Sequence, residues 1–61
     1  MKLYKVPQKS IIQLDNERFK FYRIDGMYSY CEDMKGNIVN IHCCAEVKVL
    51  GELDIDNKTG V

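Results

Sequence analysis

No stretch of this chain is both long enough and apolar enough to cross a bilayer as a helix. No continuous apolar run follows Met1-Lys2-Leu3 either, because Tyr4, Lys5 and Pro7 interrupt it, so no secretory signal peptide is expected. The two absences predict a cytoplasmic chain whose thiols stay reduced. Cysteine is scarce and odd in number, three in 61 residues, which excludes a full disulfide framework. A charge excess is missing as well. Nine basic and nine acidic groups leave a net charge of zero, against a generic nucleic-acid binder, which needs cations for phosphates. The chain carries one histidine, no glycine-rich phosphate loop and no serine-centred nucleophile elbow. No enzyme is expected, and no cofactor.

What is present reads as globular. With 46 % hydrophobic and 30 % charged residues the chain is too apolar to stay disordered. A domain of this size buries only about 60 % of the surface its unfolded chain exposes, so its core is marginal. A disulfide, a metal or a partner subunit is the usual support. The charges are unevenly placed. Residues 1–24 hold six basic and two acidic groups, and residues 25–61 hold three basic and seven acidic. This +4 and −4 division serves either internal complementarity or a bipolar surface that orients a partner.

Apolar residues recur at roughly two-residue spacing between turn residues, and no window shows a helical stripe. Val6 is held extended by Pro7. "SIIQL", residues 10–14, predicts a first strand, and "DNER", residues 15–18, supplies turn chemistry. "FKFYRI", residues 19–24, predicts a second strand rich in aromatic and β-branched side chains. Asp25-Gly26 is a two-residue hairpin signal, followed by a third strand over residues 27–32. "DMKGN" predicts a loop with Gly36 at the left-handed position of a bulge, and residues 38–42 a fourth strand. "CCA" breaks the pattern before "EVKVL", residues 46–50, alternates again and Gly51 ends it. The predicted organisation is one small β-barrel domain over residues 1–50 and a flexible tail over 51–61, where Leu53 and Ile55 would pair at most briefly with an edge.

The predicted fold is all-β: a five-stranded antiparallel meander or a partly open barrel, since so small a sheet must curl over its own apolar face. The order of connections resembles a Src-homology-3-like (SH3-like) barrel over residues 5–50, with "CCA" where that fold has a helical turn before its last strand. The resemblance implies a binding module. "KLYKVP", "FYRIDGMYSYCED" and "EVKVL" together are similar to short proteins encoded by tailed bacteriophages. That likeness implies a phage source and a role in redirecting a host protein.

The central hairpin can be counted residue by residue. If Asp33 faces Asn37 across Met34-Lys35-Gly36, then Glu32 faces Ile38, Cys31 faces Val39, Tyr30 faces Asn40, Ser29 faces Ile41, Tyr28 faces His42 and Met27 faces Cys43. Met27, Ser29, Cys31, Val39, Ile41 and Cys43 then share the core face. Tyr28, Tyr30, Glu32, Ile38, Asn40 and His42 share the other. That second face is either ordinary amphipathic sheet surface or a recognition surface, for which tyrosine is well suited. The candidate binding residues are Tyr28, Tyr30, Asn40 and His42, with Lys20 and Arg23 as basic contacts.

No metal site is expected, because adjacent His42 and Cys43 point to opposite faces on this register and only a break at residue 43 would bring them together. A Cys31–Cys43 disulfide is disfavoured, since Met27 faces Cys43. "DIDNKTG" has Lys58 where a calcium loop needs an oxygen ligand. The leading expectation is a small non-catalytic module that binds a protein, either a host protein or a second copy of itself. The alternatives are a single-stranded nucleic-acid-binding barrel, with Tyr22, Tyr28 and Tyr30 as stacking platforms beside Lys20 and Arg23, and a structural or assembly component.

Overall fold

The computed structural model describes residues 1–53. A 3₁₀ turn, η1 (Leu3–Lys5), precedes five strands: β1 (Ser10–Leu14), β2 (Glu17–Asp25), β3 (Tyr28–Asp33), β4 (Ile38–Val39) and β5 (Lys48–Glu52). They form one open antiparallel sheet in the order β4-β3-β2-β1-β5. The all-β antiparallel expectation holds, and β1–β4 are the predicted meander, with β5 returning to flank β1.

Three tight turns set the meander. Asp15 and Asn16 both have positive φ, 51° and 68°, which makes the β1–β2 connection a two-residue primed turn. β2 therefore starts at Glu17, two residues earlier than expected. The second turn is shifted by one residue from the expected Asp25-Gly26. Asp25 pairs with Tyr28, and Gly26-Met27 form the loop, with Gly26 at φ +67°. Glycine at the first central position is the demand of a type II′ turn. Met27 is consequently a turn residue, 66 % exposed, and leaves the core face on which the sequence placed it. The third turn is as expected. Gly36 has φ +91°, the Asp33 N–H donates to the Asn37 carbonyl at 2.9 Å, and the Asp33 carboxylate accepts the N–H groups of Lys35 and Asn37.

Two bulges bend the sheet. β2 and β3 pair in one register up to Phe21↔Cys31 and in another from Arg23↔Tyr30, so Tyr22 is the extra residue. Inward and outward positions exchange there: Phe19 and Phe21 are buried, Tyr22 and Arg23 lie consecutively on the outer side, and Ile24 returns to pack on the core. β5 has an extra residue at Leu50, between the pairs Ile12↔Val49 and Ile11↔Gly51. Val47 is buried as the alternation predicts, but Val49 is exposed. β5 also continues through Gly51 to Glu52, and the Leu53 N–H reaches the Lys9 carbonyl at 2.8 Å, so residues 51–53 belong to the sheet's margin and not to a tail. Ile55 and the remainder of the expected tail lie outside the described residues.

The core is Leu3, Val6, Ile12, Phe19, Phe21, Cys31, Ile41 and Val47. Phe21 is 1 % exposed, and burying such a ring contributes about 1.5–3 kcal/mol. The N-terminal segment closes the core from the side. The Leu3 N–H donates to the Ala45 carbonyl, the Tyr4 N–H to the Cys43 carbonyl and the Val47 N–H to the Met1 carbonyl, each at 2.9 Å. This segment holds the chain between β4 and β5 in place. A hydrogen-bonded turn at residues 43–44, where the Ala45 N–H meets the His42 carbonyl, sits where the resemblance placed a helical turn.

Candidate functional site

The outer face of β2, β3 and the chain after β4 carries all six candidate residues. The hairpin register is the one counted from sequence: Cys31↔Val39, Glu32↔Ile38 and an isolated bridge Tyr28↔His42. Three cross-strand rows follow. Lys20 pairs with Glu32 and Glu32 with Ile38; Arg23 pairs with Tyr30; Asp25 pairs with Tyr28 and Tyr28 with His42.

The Tyr22 bulge gives the middle row its geometry. It aims two successive side chains at one ring. Tyr22 lies 5.5 Å from Tyr30, centroid to centroid and tilted by 49°, and the Arg23 guanidinium lies 5.2 Å from the same ring. The Tyr22 hydroxyl donates to a Glu32 carboxylate oxygen at 2.7 Å. That hydrogen bond to the anion, with desolvation and the charge of Glu32 behind it, raises the Tyr22 pKa above the ordinary phenol value. Arg23 also lies 3.8 Å from Asp25. In the third row Tyr28 meets His42 edge to face, at 5.3 Å and 82°. Tyr28, Tyr30, Ile38 and Met27 are all exposed, so the face is aromatic and apolar with both charge signs interspersed.

Asn40 has a structural engagement. β4 was expected to run to His42 but the ladder stops at Val39. Ser29 is wholly buried, and its hydroxyl donates to the Ile41 carbonyl at 2.8 Å and accepts the Ile41 N–H at 3.1 Å. The Asn40 side-chain amide donates to the Ser29 carbonyl at 2.8 Å. Two side chains thus replace the backbone bonds that an unbroken ladder would place here. A shallow depression lined by Asp25, Tyr28, Ser29 and Asn40 marks the opening.

The thiols divide in two groups. Cys31 is buried with its sulfur 3.2 Å from the Ser29 hydroxyl, and desolvation pushes its pKa up, as expected of a packing residue. Cys43 does not sit on the core face opposite His42. The turn at 43–44 breaks the alternation, so an imidazole nitrogen of His42 and the sulfurs of Cys43 and Cys44 lie within 4.8 Å of one another. The geometric ground for discounting a metal is therefore removed. The signal for this was in the sequence: "CCA" interrupts the strand pattern at that point.

Tyr22, expected only as a stacking platform in the nucleic-acid alternative, joins the Tyr30 group through the bulge, whereas an uninterrupted strand two would separate it from Arg23. The sequence signal was "FYRI", two non-core residues in succession between apolar ones. No helix among the described residues is long and apolar enough to cross a membrane. No protein-family model, curated protein or solved structure matches the chain.

Proposed function

We propose that the protein is a small non-catalytic binding module whose outer β2–β3 face takes a protein partner. The observation that carries this reading is the exposed aromatic group built around Tyr30, with Tyr22 and Arg23 packed against one ring and Tyr28 and His42 beside it. Tyrosine and arginine are the side chains enriched at interface hot spots, and rings already held by their neighbours lose little freedom on binding. The likeness to short phage proteins makes a bacterial host protein the partner to seek, with a second copy of the chain as the other protein candidate.

A nucleic-acid reading is the second one, favoured by Lys20 and Arg23 beside three tyrosines. Against it, Arg23 faces Asp25, and Glu32 occupies the Tyr22 hydroxyl on the same face. Two carboxylates on the platform repel phosphate.

The test is affinity capture from a bacterial lysate by the wild-type chain and by a Tyr28→Ala/Tyr30→Ala variant, run beside sedimentation of the free chain and oligonucleotide titration at low salt. One defined protein held by the wild type and lost by the folded variant supports the reading. Equal retention by both, or a strict monomer that captures nothing specific, overturns it. Salt-dependent binding of oligonucleotides establishes the second reading instead.

A further inference from the structure

The geometry points to a soft-metal site in the turn at residues 42–44, where His42, Cys43 and Cys44 would hold one thiophilic d¹⁰ cation through an imidazole nitrogen and two thiolates. The site shares His42 with the aromatic face but differs from it in chemistry, and it does not depend on the proposed binding function.

Distances support it first. The sulfurs of Cys43 and Cys44 are 3.9 Å apart. Two thiolates each about 2.3 Å from one ion stand roughly 3.8–4.0 Å apart at tetrahedral to trigonal angles. The two sulfurs already have the spacing of a shared ion. The imidazole nitrogen lies within 4.8 Å of both, and side-chain movement of about 1 Å completes a trigonal set.

The backbone supports it second. The Cys43 N–H donates to the Met27 carbonyl, the Cys43 carbonyl accepts from Tyr4, and the Ala45 N–H donates to the His42 carbonyl. The turn is fixed from both sides, so the donors are arranged before any ion arrives. The Cys44 N–H donates to His42 Nδ1 at 3.0 Å, so that lone pair is engaged in the free chain and an ion bound through Nδ1 must displace this hydrogen bond.

The donor set selects the ion class. Thiolate and imidazole favour Cu(I) and Zn(II) over hard cations. Three donors complete a trigonal Cu(I) shell, whereas tetrahedral Zn(II) would take its fourth ligand from water. Binding exchanges the thiol protons for the ion. Affinity should therefore climb with pH.

The experiment titrates the reduced full-length chain anaerobically with Cu(I), and separately with Zn(II), each against a chromophoric chelator of known affinity. Expected are one ion per chain, a thiolate-to-metal charge-transfer band, and displacement of His42 ring resonances. Cys43→Ser and Cys44→Ser should each weaken binding at least ~10-fold, the lower bound known even for outer-shell losses. His42→Asn should weaken it while keeping the charge-transfer band, and Cys31→Ala should leave it unchanged if the variant remains folded by amide spectra. Wild-type binding no stronger than that of a Cys43→Ser/Cys44→Ser variant overturns the proposal. One ion shared by two chains overturns it too, because the site is read as complete within a single turn. Preference between the two ions follows from which one withstands its chelator.

Discussion

The hydroxyl of Ser29 is bonded to both the N–H and the carbonyl of Ile41. A buried side chain therefore occupies the place of a backbone ladder. Ser29→Ala should cost about 2 kcal/mol or more, taking 1–3 kcal/mol for each buried backbone group left without a partner. Asn40→Ala should cost less, because it removes one hydrogen bond made by an exposed side chain, whereas Ser29→Ala removes two. Urea denaturation of the two variants checks the order, and a Ser29→Ala chain within ~0.5 kcal/mol of wild type contradicts the account.

The β1–β2 turn stores removable strain. Asn16 takes φ +68° without being glycine. Asn16→Gly should raise stability by a few tenths to about 1 kcal/mol, because the left-handed region carries a Cβ penalty of roughly 1–2 kcal/mol that asparagine only partly offsets. Gly26→Ala should do the opposite. A methyl group there meets no atom within 4 Å, so its whole cost is conformational, about 1 kcal/mol. Gly51→Ala is the control, with equally open space and no positive φ, and should be neutral or slightly stabilising. Thermal midpoints separate the three, at about 4–8 °C per kcal/mol for a domain this size.

Asp33 ties stability to acid. The N–H of Asn37 lowers its pKa first, against a desolvation penalty, with the Asn37 amide and the Lys35 N–H adding to the effect. A carboxylate depressed in the folded state stabilises above its unfolded pKa, about 3.9, and that stabilisation is lost as pH falls through the lower folded value. Asp33→Asn removes the titration but keeps an oxygen acceptor for the loop. Its stability curve should be flatter than wild type below about pH 4. An unchanged acid limb would show that other carboxylates govern it.

Tyr22 should be the late phenol among four tyrosines in an ultraviolet titration of the folded chain, since its hydroxyl is held by Glu32. A phenol whose folded pKa is raised stabilises below its unfolded value and loses that contribution as pH rises through the folded one. Tyr22→Phe should delete the late step, and Glu32→Gln should bring it back toward the ordinary range. A late step that survives Tyr22→Phe belongs to another ring.

Much of the sheet was legible because its signals are local. Strand one was marked by "SIIQL" ending at the turn residues Asp15-Asn16, and the central hairpin by Gly36 and by the parity of Tyr28, Tyr30 and Cys31 against Val39 and Ile41. The bulges at Tyr22 and Leu50 were not, because an added residue changes parity without changing composition, and only pairing with the neighbouring strand reveals it. The shift of the second turn has the same origin: "DG" satisfies the turn signal in either frame, and the pairing Asp25↔Tyr28 decides. The thiol turn showed in the sequence only as the break at "CCA", and its geometry was hidden for a longer-range reason. It depends on Tyr4 and Leu3 bonding the carbonyls of Cys43 and Ala45, contacts that no local window contains. On the aromatic face, the six residues were found together, while the duty of Asn40 to the Ser29 carbonyl needed the structure.

The joining of Leu3 to Ala45, and of β1 to β5, has a consequence for how the protein is made. Leu3 and β1 leave a ribosome well before their partners Ala45 and β5. Until Lys48–Glu52 emerge, β1 keeps one edge bare, and Leu3 has no wall to close against. The β2–β3–β4 hairpins are local and can pair early, but the sheet completes only after β5 is released. Nascent chains arrested ahead of residue 45 should therefore remain sensitive to protease at their N-terminal segment, and resistance should arrive abruptly with the last strand.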